Sequence, residues 1–289
     1  RILDGAVALF CARAGVEPQS ETVWRQATKY HVPRIAFVNK MDKDDASYFR
    51  TIDMMNKRLN ANAIAMQYPI GAEKTFRGIV DLLTMKAYYN EGKNGEILTE
   101  KEIPAEIQAE AEEARAALIE KIAEFDDALM EKFFEGDISV EAMPKDMLKP
   151  IIRKATIDMK ITPAFCGTSL GNKGTQLLLD AIVDYLPAPT DVPNVEGHVP
   201  GDKEKIVTRK SSDDESFSGL AFKIATDPFI GKLAFFRVYS GVLTKGSYVY
   251  NSTKDKRERV GRLVRMHANS RTEIDEAHAG DIVAIVGLK

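Results

Sequence analysis

The sequence predicts an α/β fold with an α+β insertion, followed by an all-β barrel domain, and three observations carry this prediction. Apolar runs at 5–11 and 33–38 alternate with amphipathic segments, which is the pattern of a parallel sheet with helical crossovers. The alternation is interrupted over 71–160, where hairpin-like and charged helical segments follow one another. After Phe217 the hydrophobic period changes to two and glycines separate short apolar runs, which favours a small β-barrel.

Each predicted element has its own signal in the residues. Continuous apolar runs predict buried strands, and apolar stripes at helical spacing predict the helices that connect them. The predicted strands of the parallel sheet are 5–11, 33–38, 63–66 and 162–167. The predicted helices of the α/β part are 21–27, 47–59 and 177–186, and those of the insertion are 105–125, 126–135 and 144–155.

Changes in composition suggest the domain boundaries. Prolines mixed with Thr, Asp and Gly follow the last helix of the α/β part, and such a stretch is typical of a linker. We therefore divide the chain into a discontinuous α/β domain at 1–70 and 161–188, an insertion at 71–160, a linker at 189–217 and a barrel at 218–289.

The overall composition is that of an ordinary globular protein. Hydrophobic residues make up 44% of the 289 residues and charged residues 29%, with a net charge of −3, so contact with nucleic acid would require a local basic patch. No apolar run approaches the roughly 20 residues of a membrane helix. We see no signal peptide pattern, and we expect a cytoplasmic protein without a membrane partner. Cys11 and Cys166 lie in apolar runs, and we expect both to be reduced core thiols.

A polar box, Asn39, Lys40, Met41 and Asp42, directly follows the predicted strand 33–38. Open α/β sheets bind ligands at the carboxyl ends of their strands. The pattern N-K-x-D is also the box by which GTP-binding proteins recognise guanine. An aspartate can accept hydrogen bonds from both N1–H and the N2 amine of guanine, whereas adenine would leave the carboxylate unpaired. A polar surface loop is the alternative, and the box alone is only suggestive.

A second short segment, Thr168, Ser169 and Leu170, follows the strand 162–167. It resembles the S-A-x loop of GTP-binding proteins, whose backbone N–H meets O6 of guanine, and small residues there let the backbone approach a base. Ser169 stands where alanine is usual. A plain strand-to-helix turn is the alternative for this segment alone, but its pairing with the box at 39–42 favours base binding.

The chain resembles the elongation factor G family of translational GTPases, and the resemblance covers nearly all of it. The runs that carry it are 3–7, 18–27, 33–42, 172–174, 185–187, 226–233, 237–241, 259–263 and 266–269. The resemblance implies a partial P-loop-GTPase-like sheet, with 71–160 as the extra subdomain of that family. It also implies GTP or GDP as the ligand, a monomer, and the ribosome, through its RNA and proteins, as the partner in translocation of tRNA and mRNA.

Several motifs of that family are missing from the 289 residues. The sequence contains no phosphate-binding G-x-x-x-x-G-K-[ST] and no D-x-x-G box, and the four histidines stand in other contexts than the family's catalytic histidine. We therefore expect a fragment that carries the guanine-recognising half of the GTPase domain, its insertion and most of the second domain. Phosphate binding, Mg²⁺ and catalysis would belong to residues outside it, and the sequence leaves open whether this chain is itself an enzyme.

Two other functions stay open at this point. One is a ribosome-protection or peptide-release GTPase, although the runs 226–233 and 266–269 favour the translocation factor. The other is a non-hydrolytic module that binds the ribosome without any phosphate machinery.

A basic run in the predicted barrel could contact RNA. Between 254 and 265 the basic residues outnumber the acidic ones, and the candidate ribosomal RNA contacts are Arg257, Arg259, Arg262 and Arg265. The family resemblance implies such contacts for this domain. On spacing alone, a solvated strand face is the alternative interpretation of this run.

Overall fold

A computed structural model describes residues 2–135, 143–227, 231–267 and 270–288. The backbone forms two compact units, residues 3–187 and residues 188–289. Two of the runs on which the resemblance was based, 226–233 and 266–269, extend partly outside the described residues. Within the described ranges, every helix is too short or too polar to cross a membrane.

The first unit contains eight strands and six α-helices among its described residues. In chain order they are β1 (Ala6–Cys11), α1 (Pro18–Lys29), β2 (Arg34–Asn39), α2 (Tyr48–Leu59), β3 (Ala63–Ala65), β4 (Gln67–Ile70), β5 (Gly78–Asp81), β6 (Lys86–Glu91), β7 (Ile97–Lys101), α3 (Gln108–Ala123), α4 (Asp127–Glu135), α5 (Lys145–Ile157), β8 (Thr162–Cys166) and α6 (Thr175–Tyr185). Short 3₁₀ turns lie at Glu73–Thr75 and Ala105–Ile107.

The centre of this unit is a parallel sheet with strand order β1-β2-β8-β3. Both faces of β2 are covered, as its continuous apolar sequence predicts. Ile35 and Phe37 face a hydrophobic cluster that also contains residues of α6 and of the insertion. Ala36 and Val38 face a second cluster, which contains residues of α1 and α2. The predicted α/β arrangement is therefore confirmed.

The insertion consists of a four-stranded antiparallel sheet, β4-β5-β6-β7, and helices α3 to α5. The structure differs from the predicted boundary at residue 71, because Gln67–Ile70 already pairs with β5. The hydrophobic cluster is also continuous between the two parts: Leu82 and Ile119 of the insertion belong to the same buried cluster as Phe37 of the central sheet. The insertion therefore shares its core with the sheet that it interrupts.

Both cysteines are free, as expected from their apolar surroundings. Cys166 is fully buried in β8, and burial raises the pKa of its thiol. Cys11, at the end of β1, is only partly buried, so the prediction of a core thiol was wrong for this residue.

The second unit is built from antiparallel strands. In chain order they are β9 (Val195–Val199), β10 (Asp202–Arg209), β11 (Ser218–Asp227), β12 (Gly231–Ser240), β13 (Leu243–Thr244), β14 (Tyr248–Asn251), β15 (Lys256–Arg259), β16 (Arg262–His267), β17 (Ser270–Ile274), β18 (Glu276–Ala277) and β19 (Ile282–Val286). Five of them form a sheet of order β11-β12-β19-β16-β17, and the pairs β13–β18 and β14–β15 complete a barrel-like arrangement around Val238, Leu263 and Ile285.

The range 189–217, predicted as a linker, differs from that expectation. It contains the hairpin β9–β10, in which Val195 pairs with Arg209. Most of its residues are exposed, so the hairpin lacks the apolar alternation by which a strand is recognised in a sequence.

A buried tyrosine hydroxyl supports the central sheet. Tyr48, at the start of α2, is 1% exposed and donates a hydrogen bond to the carbonyl of Ala164 in β8 (2.6 Å). The same carbonyl also accepts from the amide of Met66, so it keeps one partner if the hydroxyl is lost.

We predict that Tyr48→Phe lowers the free energy of unfolding of the first unit by about 1 kcal/mol, the usual net value of one such hydrogen bond. Urea unfolding followed by Trp24 fluorescence measures this, because the chain has a single tryptophan and it lies in this unit. The control is Tyr30→Phe, at a tyrosine that is 59% exposed. Equal midpoints for the two variants would contradict the prediction.

Candidate functional site

The two segments singled out in the sequence lie side by side at one edge of the central sheet. Strand β2 ends at Asn39 and strand β8 ends at Cys166, and the two strands are adjacent and parallel, with Val38 opposite Cys166. The loops that follow must therefore emerge together. This edge is where open α/β sheets bind ligands.

The side chain of Asn39 joins the two loops. Its Oδ1 accepts hydrogen bonds from the amides of Lys40 (2.8 Å) and Ser169 (3.0 Å), and its Nδ2 donates to Ser169 Oγ (2.9 Å). A backbone bond from the Met41 amide to the carbonyl of Gly167 (3.1 Å) adds a second link. Both loops are thus held in one arrangement by contacts within the chain.

Residues of the first loop alternate between the surface and the core. Lys40 is exposed and has a left-handed backbone (φ 67°), so its stem is free to lie along a planar ligand. Met41 is only 1% exposed and packs with the cluster of α1 and α2. Met41 therefore anchors the loop, while Lys40 and Asp42 remain as its polar groups.

Asp42 carries the negative charge of the site. Burial acts to raise the pKa of this carboxyl group, but hydrogen bonding to Thr168 and the charge of Lys43, whose Nζ lies 3.3 Å from Oδ2, outweigh it and bring the pKa below its usual value. The group is therefore ionised at neutral pH. Its Oδ1 is buried and has no hydrogen-bond partner among the described residues. Leaving a buried acceptor unpaired costs about 1–3 kcal/mol. The side chain as a whole is 35% exposed, so the carboxylate would have to turn Oδ1 towards the surface for a ligand with adjacent N–H donors to offset that cost.

The second loop is a tight turn closed by a bridge between Thr168 and Lys173, whose backbones exchange two hydrogen bonds (3.0 and 3.1 Å). Thr168 is buried, whereas Leu170 is 92% exposed. The amide of Ser169 already donates to Asn39. The amide of Leu170 has no acceptor among the described residues, so it, rather than that of Ser169, is available to a ligand carbonyl.

Sequence reasoning missed several residues around these loops. Glu73 donates its amide to the carbonyl of Met41 (2.9 Å) and accepts from the amide of Asp45 (2.8 Å). Lys173 donates to the carbonyl of Phe76 (3.0 Å). Glu73 and Phe76 belong to the insertion, and nothing in their local sequence pattern signals a contact with residues more than 25 positions away.

The basic residues of the second unit are divided between two elements. Arg257 and Arg259 lie two residues apart on β15 and therefore share a face, whereas Arg262 and Arg265 lie on β16, three residues apart and so on opposite faces. All four are exposed, and Arg265 approaches Asp281 to 3.7 Å. The run thus does not form one continuous basic face.

Two tyrosines accompany the arginines of β15. Tyr248 pairs with Arg259 and Tyr250 with Arg257 across the β14–β15 hairpin, and the Arg257 guanidinium lies 5.3 Å from the ring centre of Tyr248. The tyrosines are 60% and 47% exposed. Exposed aromatic rings beside arginines are a combination that binds phosphates and stacks on unpaired bases.

Comparison with known proteins finds similarity to two family models and to solved structures. Residues 216–289 match the model of elongation factor G domain 2, and residues 1–188 match the model of the elongation factor Tu GTP binding domain. A crystal structure of a protein from Thermus thermophilus is similar over 99% of this chain, with a TM-score of 0.78 and 24% sequence identity. This chain spans 39% of the length of that protein.

The match to the solved structure supports the fold, and the match over 1–188 includes both loops described above and covers most of the sequence. The chain belongs to the family of the elongation factor Tu GTP binding domain.

Proposed function

We propose that this chain carries the guanine-recognising part of a GTP-dependent translation factor of the elongation factor G type, which promotes movement of tRNA and mRNA on the ribosome. The observation that carries the proposal is the pairing of two loops that are hydrogen-bonded to each other, one of which carries the ionised Asp42. The order of an elongation factor Tu GTP binding domain followed by an elongation factor G domain 2 supports the type of factor.

Within this proposal, each polar group has a distinct role towards GTP or GDP. Asp42 accepts from N1–H and the N2 amine of the base, and Lys40 covers one face of the ring. The amide of Leu170 meets O6, and Asn39 keeps the two loops together. The bound nucleotide would supply the phosphates whose hydrolysis drives the factor, and we assign neither that chemistry nor Mg²⁺ binding to residues of this chain.

The expected cellular setting follows from the same proposal. A factor of this type acts as a monomer in the cytoplasm and binds ribosomal RNA and proteins. A ribosome-protection or peptide-release factor would share the base site, so the two types differ in what they do on the ribosome rather than in the loops described here.

The first test changes the base preference of the site. We predict that Asp42→Asn, in the full-length gene product, weakens GDP binding about 10- to 100-fold and strengthens binding of xanthosine diphosphate. An asparagine amide can accept from N1–H and donate to the C2 carbonyl of xanthine, whereas guanine presents a second donor there. Calorimetry with both nucleotides measures the change.

Asp44→Asn is the matched control, because it makes the same substitution at an exposed residue two positions away. We expect it to leave both affinities unchanged. Retention of wild-type GDP affinity in Asp42→Asn, without any gain for xanthosine diphosphate, would show that guanine is not bound here.

The second test concerns contact with ribosomal RNA. We predict that the double variant Arg257→Glu/Arg259→Glu binds ribosomes at least tenfold more weakly at about 100 mM salt. It should also lower the slope of log affinity against log salt concentration by about 1.5, because two phosphate contacts are lost. Binding measured over a salt series gives both values.

The control for this test is Lys205→Glu/Lys210→Glu, an equal change of charge at two exposed residues of the same unit. A similar loss of affinity in both double variants would indicate a general effect of net charge. An unchanged salt slope in the arginine variant would exclude β15 from the contact.

A further inference from the structure

One contact between the insertion and the second loop centres on a backbone carbonyl. The carbonyl of Gly95, in the turn between β6 and β7, accepts hydrogen bonds from Asn90 Nδ2 (3.0 Å), Asn172 Nδ2 (3.1 Å) and Gln176 Nε2 (3.1 Å). A carbonyl oxygen has two lone pairs, so the three donors share them, and the turn is joined to side chains of three residues. Gly95 is buried, although it lies at the tip of a hairpin whose neighbouring residues are exposed.

Only glycine fits this position of the turn. Gly95 has φ +66°, and a side-chain Cβ there would lie 2.8 Å from the carbonyl oxygen of Gly171. The hairpin backbone therefore rests directly on the backbone of the loop that follows β8.

Asn90, on β6, uses both ends of its side-chain amide at this junction. Besides donating to Gly95, its Nδ2 donates to Gln176 Oε1 (2.9 Å), and its Oδ1 accepts from the amide of Gly174 (3.1 Å). Gly174 follows Lys173, whose backbone closes the turn with Thr168. Asn90 thus fixes the end of the loop that carries Leu170.

The insertion holds the first loop as well. The amide and the carboxylate of Glu73 bind the backbone on either side of Asp42, at Met41 and Asp45. Glu73 itself has a left-handed backbone (φ 53°), which is uncommon for a residue other than glycine and which this contact holds in place. The two loops are therefore joined to each other by Asn39 and to the insertion by separate contacts.

We propose that the insertion positions the two loops that read the base, and that Asn90 is the positioning residue for the second loop. This inference rests on the proposed function, since it assumes that guanine lies between the loops. Asn90 does not touch the base; it acts by holding the Thr168–Lys173 turn so that the Leu170 amide faces O6. A partner that displaced the β6–β7 hairpin would then weaken base binding, and nucleotide would in turn stabilise the hairpin.

The test compares Asn90→Ala with Asn94→Ala, the same substitution at an exposed residue of the same turn. In the 289-residue chain, we expect amide hydrogen exchange over 168–174 to be about tenfold faster in Asn90→Ala and unchanged in Asn94→Ala. In the full-length gene product, affinities are measured for GDP and for 2-aminopurine riboside diphosphate, which lacks O6. We expect the ratio of the two affinities to fall about tenfold in Asn90→Ala, the equivalent of one hydrogen bond.

The ratio distinguishes positioning from general destabilisation, because a loss of stability would weaken both ligands equally. Gln176→Ala removes the bonds of Gln176 to Asn90 and to Gly95 but leaves Asn90 bonded to Gly174. We expect it to lower the affinity ratio by a smaller factor. It replaces Asn90→Ala as the test if that variant does not fold. The inference would be overturned if amide hydrogen exchange over 168–174 and the affinity ratio were the same in both variants as in the wild-type protein. A wild-type protein that does not distinguish the two ligands would instead contradict the proposed function, while the exchange data would still test the hydrogen bonds of the turn.

Discussion

The hydrogen bonds between Asn39 and Ser169 are the interaction on which the account of the site depends. They join residues 130 positions apart, and they do so because β2 and β8 are neighbouring parallel strands whose carboxyl ends lie together. The bond from the Met41 amide to the carbonyl of Gly167 supports the same contact, so the two loops are linked at more than one point. Through these links Asp42 and the amide of Leu170 belong to one site, and contacts that hold loops in place reduce the ordering cost of binding.

The insertion extends the same arrangement. It shares a hydrophobic cluster with the central sheet, and its polar contacts reach both loops through Glu73 and Asn90. A segment that looks like an addition in the sequence is thus part of the packing around the site. In the second unit the candidate site is a basic and aromatic surface, because Arg257 and Arg259 lie beside exposed tyrosines on the β14–β15 hairpin.

Structural elements and site residues could be predicted from the sequence where neighbouring residues carry the pattern. The strand 33–38 and the box at 39–42 are contiguous, so a buried strand followed by polar residues could be recognised without knowledge of the fold. The hairpin at 195–209 could not be recognised in this way, because its exposed strands lack the alternation of apolar and polar residues. The contacts of Gly95 could not either, because they join backbone and side chains of Asn172 and Gln176 that are more than 75 positions away. Likewise, the basic run at 254–265 looks continuous in the sequence, but the turn between β15 and β16 divides it.

The most direct test of the central claim is a crystal structure of the full-length gene product with GDP. The account predicts the guanine base between the two loops, with both oxygens of Asp42 within hydrogen-bond distance of N1 and N2 and the amide of Leu170 within that distance of O6. It also predicts that the bonds between Asn39 and Ser169 are the same as in the free chain. A base bound elsewhere, or a base bound here with Asp42 turned away from it, would contradict the account.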